Sequence, residues 1–146
     1  MEATLSERLG GDGEIPSQRI LIADDAMSSR DLLRSILASS GHEVQEATDG
    51  VEVLETMTIF RPALIILDMD LPGMDGFNTA RRVRRVPGFE RVPLVLLVPA
   101  PAYSSPEEIA AAGFSACLVK PIGPRRLREC VGGLLEAPAR STVHVV

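Results

Sequence analysis

Short apolar runs alternate with amphipathic stretches along this chain, and each run stops at a charge or a turn former. Arg19–Ala23 (RILIA), 63–67 (ALIIL), 93–98 (PLVLLV) and 115–119 (SACLV) are almost continuously apolar, whereas 42–47 (HEVQEA) is more polar. Continuous runs of this length read as strands buried on both faces, and the polar run as an edge strand. Between them the apolar positions recur at helical spacing. Residues 26–40 carry Met27, Leu32, Leu33, Ile36 and Leu37; 51–59 carry Val53, Leu54 and Met57; 76–86 carry Phe77, Ala80 and Val83. A short helix reaches residue 112, and a last one over 124–135 turns Leu127, Val131, Leu134 and Leu135 inward. Gly41, Pro62, Pro87-Gly88 and Gly113 supply the stops. Residues 1–18 and 137–146 are expected to be flexible extensions of a domain over 19–136.

Five strands alternating with five helices predict an α/β fold, a parallel sheet covered on both faces. Right-handed crossovers restrict the topology, and the flavodoxin-like order 2-1-3-4-5 is favoured. That order makes the first and third strands neighbours, so their carboxyl ends bring Asp24, Asp25 and Asp68 to one crevice. Like charges held this close need a positive partner. A Mg²⁺ ion suits hard carboxylate oxygens, and Lys120, off the end of the fifth strand, adds an ammonium. A metal and a lysine around a carboxylate suit phosphoryl transfer, with Asp68 as the nucleophile. Each residue also has a plainer use. An acidic pair after a strand is often an N-cap, an Asp before Pro-Gly is often turn chemistry, and a Lys-Pro is often a solvated loop. The conjunction at three strand ends favours function.

Composition narrows the classes. The chain has 146 residues, a net charge of −5 and a pI near 5.0, which argues against non-specific nucleic-acid binding. Arg81, Arg82, Arg84 and Arg85, and again Arg125, Arg126 and Arg128, form basic runs, but no aromatics interleave with them, so they read as solvated helix faces. Cys117 and Cys130 read as reduced and structural. No signal peptide or membrane-length apolar stretch is seen, and a cytoplasmic protein is expected. Too little chain follows residue 135 for an output domain to be expected.

Taken together, Ile20-Leu21-Ile22-Ala23-Asp24-Asp25, Asp49-Gly50, the stretch Leu67-Asp68-Met69-Asp70-Leu71-Pro72-Gly73-Met74-Asp75-Gly76 and Lys120-Pro121 resemble the receiver domain of two-component response regulators. The resemblance runs from about residue 19 to 135. It implies that Asp68 accepts a phosphoryl group from a histidine kinase or histidine phosphotransfer protein. Asp25 and Asp68 would bind Mg²⁺ directly, Asp24 through water and Asp70 through its backbone carbonyl. Lys120 would contact the phosphoryl group, and Lys120-Pro121 would be cis. Output would pass through the fourth helix, fifth strand and fifth helix, residues 104–135.

The pattern departs from the family at the switch positions. Val98 stands where the family has Ser or Thr, Pro99 where it has a backbone N–H donor, and Cys117 where it has an aromatic residue. Each missing hydrogen bond to a charged group is worth about 1.5–3 kcal/mol. Asp70 places a further acid beside the site, favouring metal over phosphate. Two functions are therefore weighed. One is a phospho-accepting signalling domain; the other is a receiver-like interaction module that signals without phosphorylation. A phosphatase on the same fold is disfavoured, because the chain has no room for a cap domain.

Overall fold

A computed structural model describes residues 17–99, 105–136 and 144–145. The expected extension over 1–18 lies outside the described residues except for Ser17 and Gln18, as does most of the expected tail. The elements run β1 (Arg19–Ala23), α1 (Met27–Ser39), β2 (Glu43–Ala47), α2 (Gly50–Phe60), β3 (Leu64–Asp68), α3 (Gly76–Arg85), β4 (Leu94–Val98), α4 (Pro106–Ala111), β5 (Ala116–Val119), α5 (Pro124–Glu136) and β6 (His144–Val145).

All the strands pair in parallel, and the first five stand in the order 2-1-3-4-5. The expected flavodoxin-like arrangement is therefore the observed one. Side chains alternate across the sheet, so each strand feeds two cores. On one face Ile20, Ile22, Leu64, Ile66, Val95 and Leu97 pack against Leu33 and Leu37 of α1 and Leu127 and Val131 of α5. On the other, Leu21, Ile65, Leu67, Leu96, Val98 and Cys117 pack against Val53 and Met57 of α2, Ala80 and Val83 of α3 and Ile109 of α4. Burial on both faces is why β3 and β4 are apolar at almost every position.

The structure differs from the sequence pattern in two places. Met27 and Leu32 do not join the inward stripe of α1; they are 67% and 52% exposed. Leu33, Ile36 and Leu37, spaced i, i+3, i+4, define the buried face, and the other two fall to its sides. A sixth, two-residue strand pairs with β5, His144 opposite Ala116 and Val145 opposite Cys117. Part of the segment expected to lack structure thus occupies the outer edge of β5.

Local capping fixes where the helices begin. Asp49, Asp75 and Ser105 accept from the backbone N–H three residues on, at the starts of α2, α3 and α4. The start of α1 is different: Ala26 holds the cap position and supplies no side-chain bond.

Candidate functional site at the carboxyl ends of β1, β3 and β5

Three strand ends converge because β1 lies between β2 and β3, and β4 separates β3 from β5. Asp68 is the last residue of β3, opposite Leu97 of β4. Asp24 follows β1 directly, and its N–H donates to Ala47 O at 3.2 Å. Lys120 follows β5, and its N–H donates to Val98 O at 2.8 Å. The main chain therefore sets all three side chains before any side-chain bond forms.

The side chains meet over the crevice. Lys120 Nζ donates to Asp68 Oδ2 at 2.7 Å and to Asp24 Oδ2 at 3.3 Å. Both carboxylates are buried, with Asp24 fully excluded from solvent and Asp68 4% exposed. Their remaining oxygens are held from the backbone: Ala26 N–H donates to Asp24 Oδ1 at 2.9 Å, and Asp70 N–H to Asp68 Oδ1 at 3.1 Å. Asp25 is exposed and does not cap α1, so the plainer use weighed for it from sequence does not apply. Asp70 is also exposed, and reaches the site through its backbone N–H. The Lys120-Pro121 peptide is cis.

Burial and charge split the two inner acids. Burial pushes Asp24 up, but the Ser29 side chain, the Ala26 N–H and Lys120 outweigh it, holding Asp24 below the ordinary carboxylate range. For Asp68 burial wins: it and the charge of Asp24 raise the group, against the pull of Lys120 and the Asp70 N–H. Burial works against a charged Lys120, yet Asp68 and Asp24 hold its pKa above the ordinary value.

Asp24, Asp25 and Asp68 each offer a carboxylate oxygen, and these oxygens lie within 4.8 Å of one another. Three carboxylates against one ammonium leave an excess of negative charge. All-oxygen donors, part of them exposed, fit a hard divalent cation such as Mg²⁺.

Glycine at position 76 is a structural requirement that motif spacing alone did not explain. A Cβ there would stand 2.5 Å from Asp68 O, so α3 can start this close to the site only with glycine. Arg30 was likewise missed. Its guanidinium donates to Asp24 O at 2.7 Å and pairs with Glu46 at 3.0 Å, tying α1 and β2 to the end of β1. No local signal marks it, since its partners are a main-chain carbonyl and a distant acid. Val98 and Cys117 are both buried on the α2–α4 face of the sheet, on adjacent strands. Val98 therefore gives its methyl groups to that core and offers no side-chain hydroxyl, and it meets Lys120 through its main-chain carbonyl.

Comparison with known proteins agrees with this fold. The model of the response regulator receiver domain family matches residues 20–132. The chain is 36% identical over 124 residues to the cyclic di-GMP phosphodiesterase response regulator RpfG of Xanthomonas campestris, covering 84% of this chain and 33% of that protein. It is 38% identical over 115 residues to an uncharacterized 14.6 kDa protein of Leptolyngbya boryana, covering 77% of this chain and 86% of that one. The chain thus spans only a third of RpfG's length but most of the smaller relative. Among solved structures, the chemotaxis response regulator CheY4 of Vibrio cholerae superposes with a TM-score of 0.75 at 31% identity, covering 82% of this chain and 99% of that one. The receiver domain of the sensor histidine kinase PA1611 from Pseudomonas aeruginosa, described with a magnesium ion in its active-site cleft, gives a TM-score of 0.77 at 24% identity, covering 84% of this chain and all of that one; that likeness bears on the fold alone.

Proposed function

The chain belongs to the response regulator receiver domain family, and from that premise we propose that Asp68 is its phosphoacceptor. The observation that carries this is the placement of Lys120 Nζ 2.7 Å from Asp68 and 3.3 Å from Asp24, from three separate strand ends. The donor is a phosphohistidine of a histidine kinase or histidine phosphotransfer protein. An Asp68 oxygen attacks phosphorus, an acyl phosphate bond forms, the P–N bond breaks, and the imidazole nitrogen keeps the electron pair.

This chain's residues prepare that step by position and charge. Lys120 neutralises Asp68 before transfer and can follow the phosphoryl oxygens after it. The Asp70 N–H holds one Asp68 oxygen at 3.1 Å and thereby fixes the plane of the carboxylate. Asp25 and Asp68 would hold Mg²⁺ directly, Asp24 through water and Asp70 through its carbonyl. When bound, the ion offsets charge on the transferring oxygens. Output is assigned to the α4-β5-α5 face.

A second function, a receiver-like interaction module that works without phosphorylation, draws on Val98 and Pro99. Neither offers the donor expected at its position, so a phosphoryl group on Asp68 would be held by fewer bonds than usual. Titration with beryllofluoride and Mg²⁺, followed by amide NMR, separates the two. The phosphoacceptor predicts saturable shifts at Asp24 to Ala26, Asp68 to Asp70 and Lys120. A flat titration at those residues would leave the interaction module.

A further inference from the structure

The arginine run on α3 separates into two uses. Arg84 turns inward: its Nη2 and Nε donate to Gly113 O at 2.5 and 3.1 Å, and its Nη1 to Phe89 O at 3.0 Å. Arg81, Arg82 and Arg85 are exposed and line one groove of about 420 Å³ together with Gly73, Met74 and Asn78. None of the three has a carboxylate within salt-bridge distance among the described residues. The helix itself, GFNTARRVRR, contains no acid that could supply one. On α5, by contrast, Arg125 pairs with Glu129 at 3.4 Å.

Like charges at i and i+4, here Arg81 and Arg85, oppose helix formation unless something offsets them. The helix dipole rewards cations in the last turn. It accounts for Arg82 and Arg85 in part, but Arg81 stands earlier, where the dipole gives it little. Three guanidinium forks around one concavity match the geometry of phosphate oxygens, which accept paired N–H bonds. The groove volume lies within the range of about 300–1,000 Å³ typical of small-ligand sites.

We propose that the groove formed by Arg81, Arg82 and Arg85 with Gly73, Met74 and Asn78 binds a small anion carrying two or more phosphate groups. The site is separate from the Asp68 pocket, whose excess negative charge repels anions when no metal is present. It stands close to that pocket in sequence, because Gly73 and Met74 belong to the loop that follows Asp68.

Inorganic pyrophosphate, titrated into the full chain with EDTA present and followed by amide and arginine Nε–H NMR, tests this. Saturable shifts are expected at Gly73, Met74, Asn78 and the three arginines. The R81A/R85A double variant should weaken binding roughly tenfold or more, whereas R125A/R126A should leave it unchanged. Thermal melts of both variants establish that they are folded. Unsaturable shifts, or equal weakening by the two pairs, would mean generic attraction and overturn the proposal. A single-stranded oligonucleotide or a polyglutamate saturating the same residues at far lower concentration would overturn the assignment to a small anion. None of these outcomes bears on Asp68, which is tested separately with beryllofluoride.

Discussion

Asp24 and Asp68 share one lysine yet titrate in opposite directions, because Asp24 collects more donors than Asp68. The raised Asp68 fixes a sign. The folded state holds this proton more tightly than the unfolded chain, so ionised Asp68 costs stability at neutral pH. Asp68→Asn should therefore raise the urea midpoint at pH 7.5. The advantage should shrink as pH falls through the raised pKa of Asp68, where the native acid becomes neutral as well. Asp25 makes the complementary case. It is exposed and caps nothing, so Asp25→Asn should change metal-free stability by less than about 0.5 kcal/mol. Mg²⁺ at a hundred times its Kd should stabilise the native chain by ~2.7 kcal/mol, and Asp25→Asn should lose most of that gain in a melting experiment. At this scale the site was legible wherever a charged residue ends an apolar run, as at Asp24, Asp68 and Lys120. It was not legible where a residue acts through the backbone. Gly76 serves by lacking a Cβ, and Arg30 by reaching a carbonyl.

The ends of β4 and β5 meet next to Lys120. Val98 is wholly buried beside Lys120, and its carbonyl already accepts the Lys120 N–H. Val98→Thr should cost about 1–3 kcal/mol of resting stability, because a hydroxyl enters an apolar core. It should also lengthen the lifetime of phosphorylated Asp68 by about tenfold to a hundredfold, since the new donor is worth about 1.5–3 kcal/mol toward a charged acceptor. Acid-quench time courses measure that lifetime. Arg84 joins α3 to the loop before β5 through the carbonyl of Gly113. Arg84→Ala should lower stability by about 1–3 kcal/mol and speed amide exchange around Gly113 more than in α1. The strands were readable because burial on both faces leaves continuous apolar runs. Helix faces were less so: Met27 and Leu32 look apolar in sequence but sit beside the stripe set by Leu33, Ile36 and Leu37. The pairing of His144 and Val145 with β5 was missed because two residues carry too little pattern to be told from a tail.

Across the molecule, a doubly wound sheet with strand order 2-1-3-4-5 brings one lysine and three aspartates from distant parts of the chain to a single edge. Alternating strands and helices made that order legible, because right-handed crossovers leave few alternatives. The charge balance of the crevice followed from the order, whereas the details of Arg84 and β6 depend on tertiary contacts that no local pattern encodes. Among the described residues no helix is long and apolar enough to cross a membrane. Phosphoryl transfer to Asp68 is checked by peptide mapping after acetyl phosphate treatment with Mg²⁺ and borohydride reduction. A single reduced residue is expected at position 68, absent in Asp68→Asn and strongly diminished in Lys120→Ala. An unmodified Asp68 under conditions that label another receiver domain in the same reaction would contradict it.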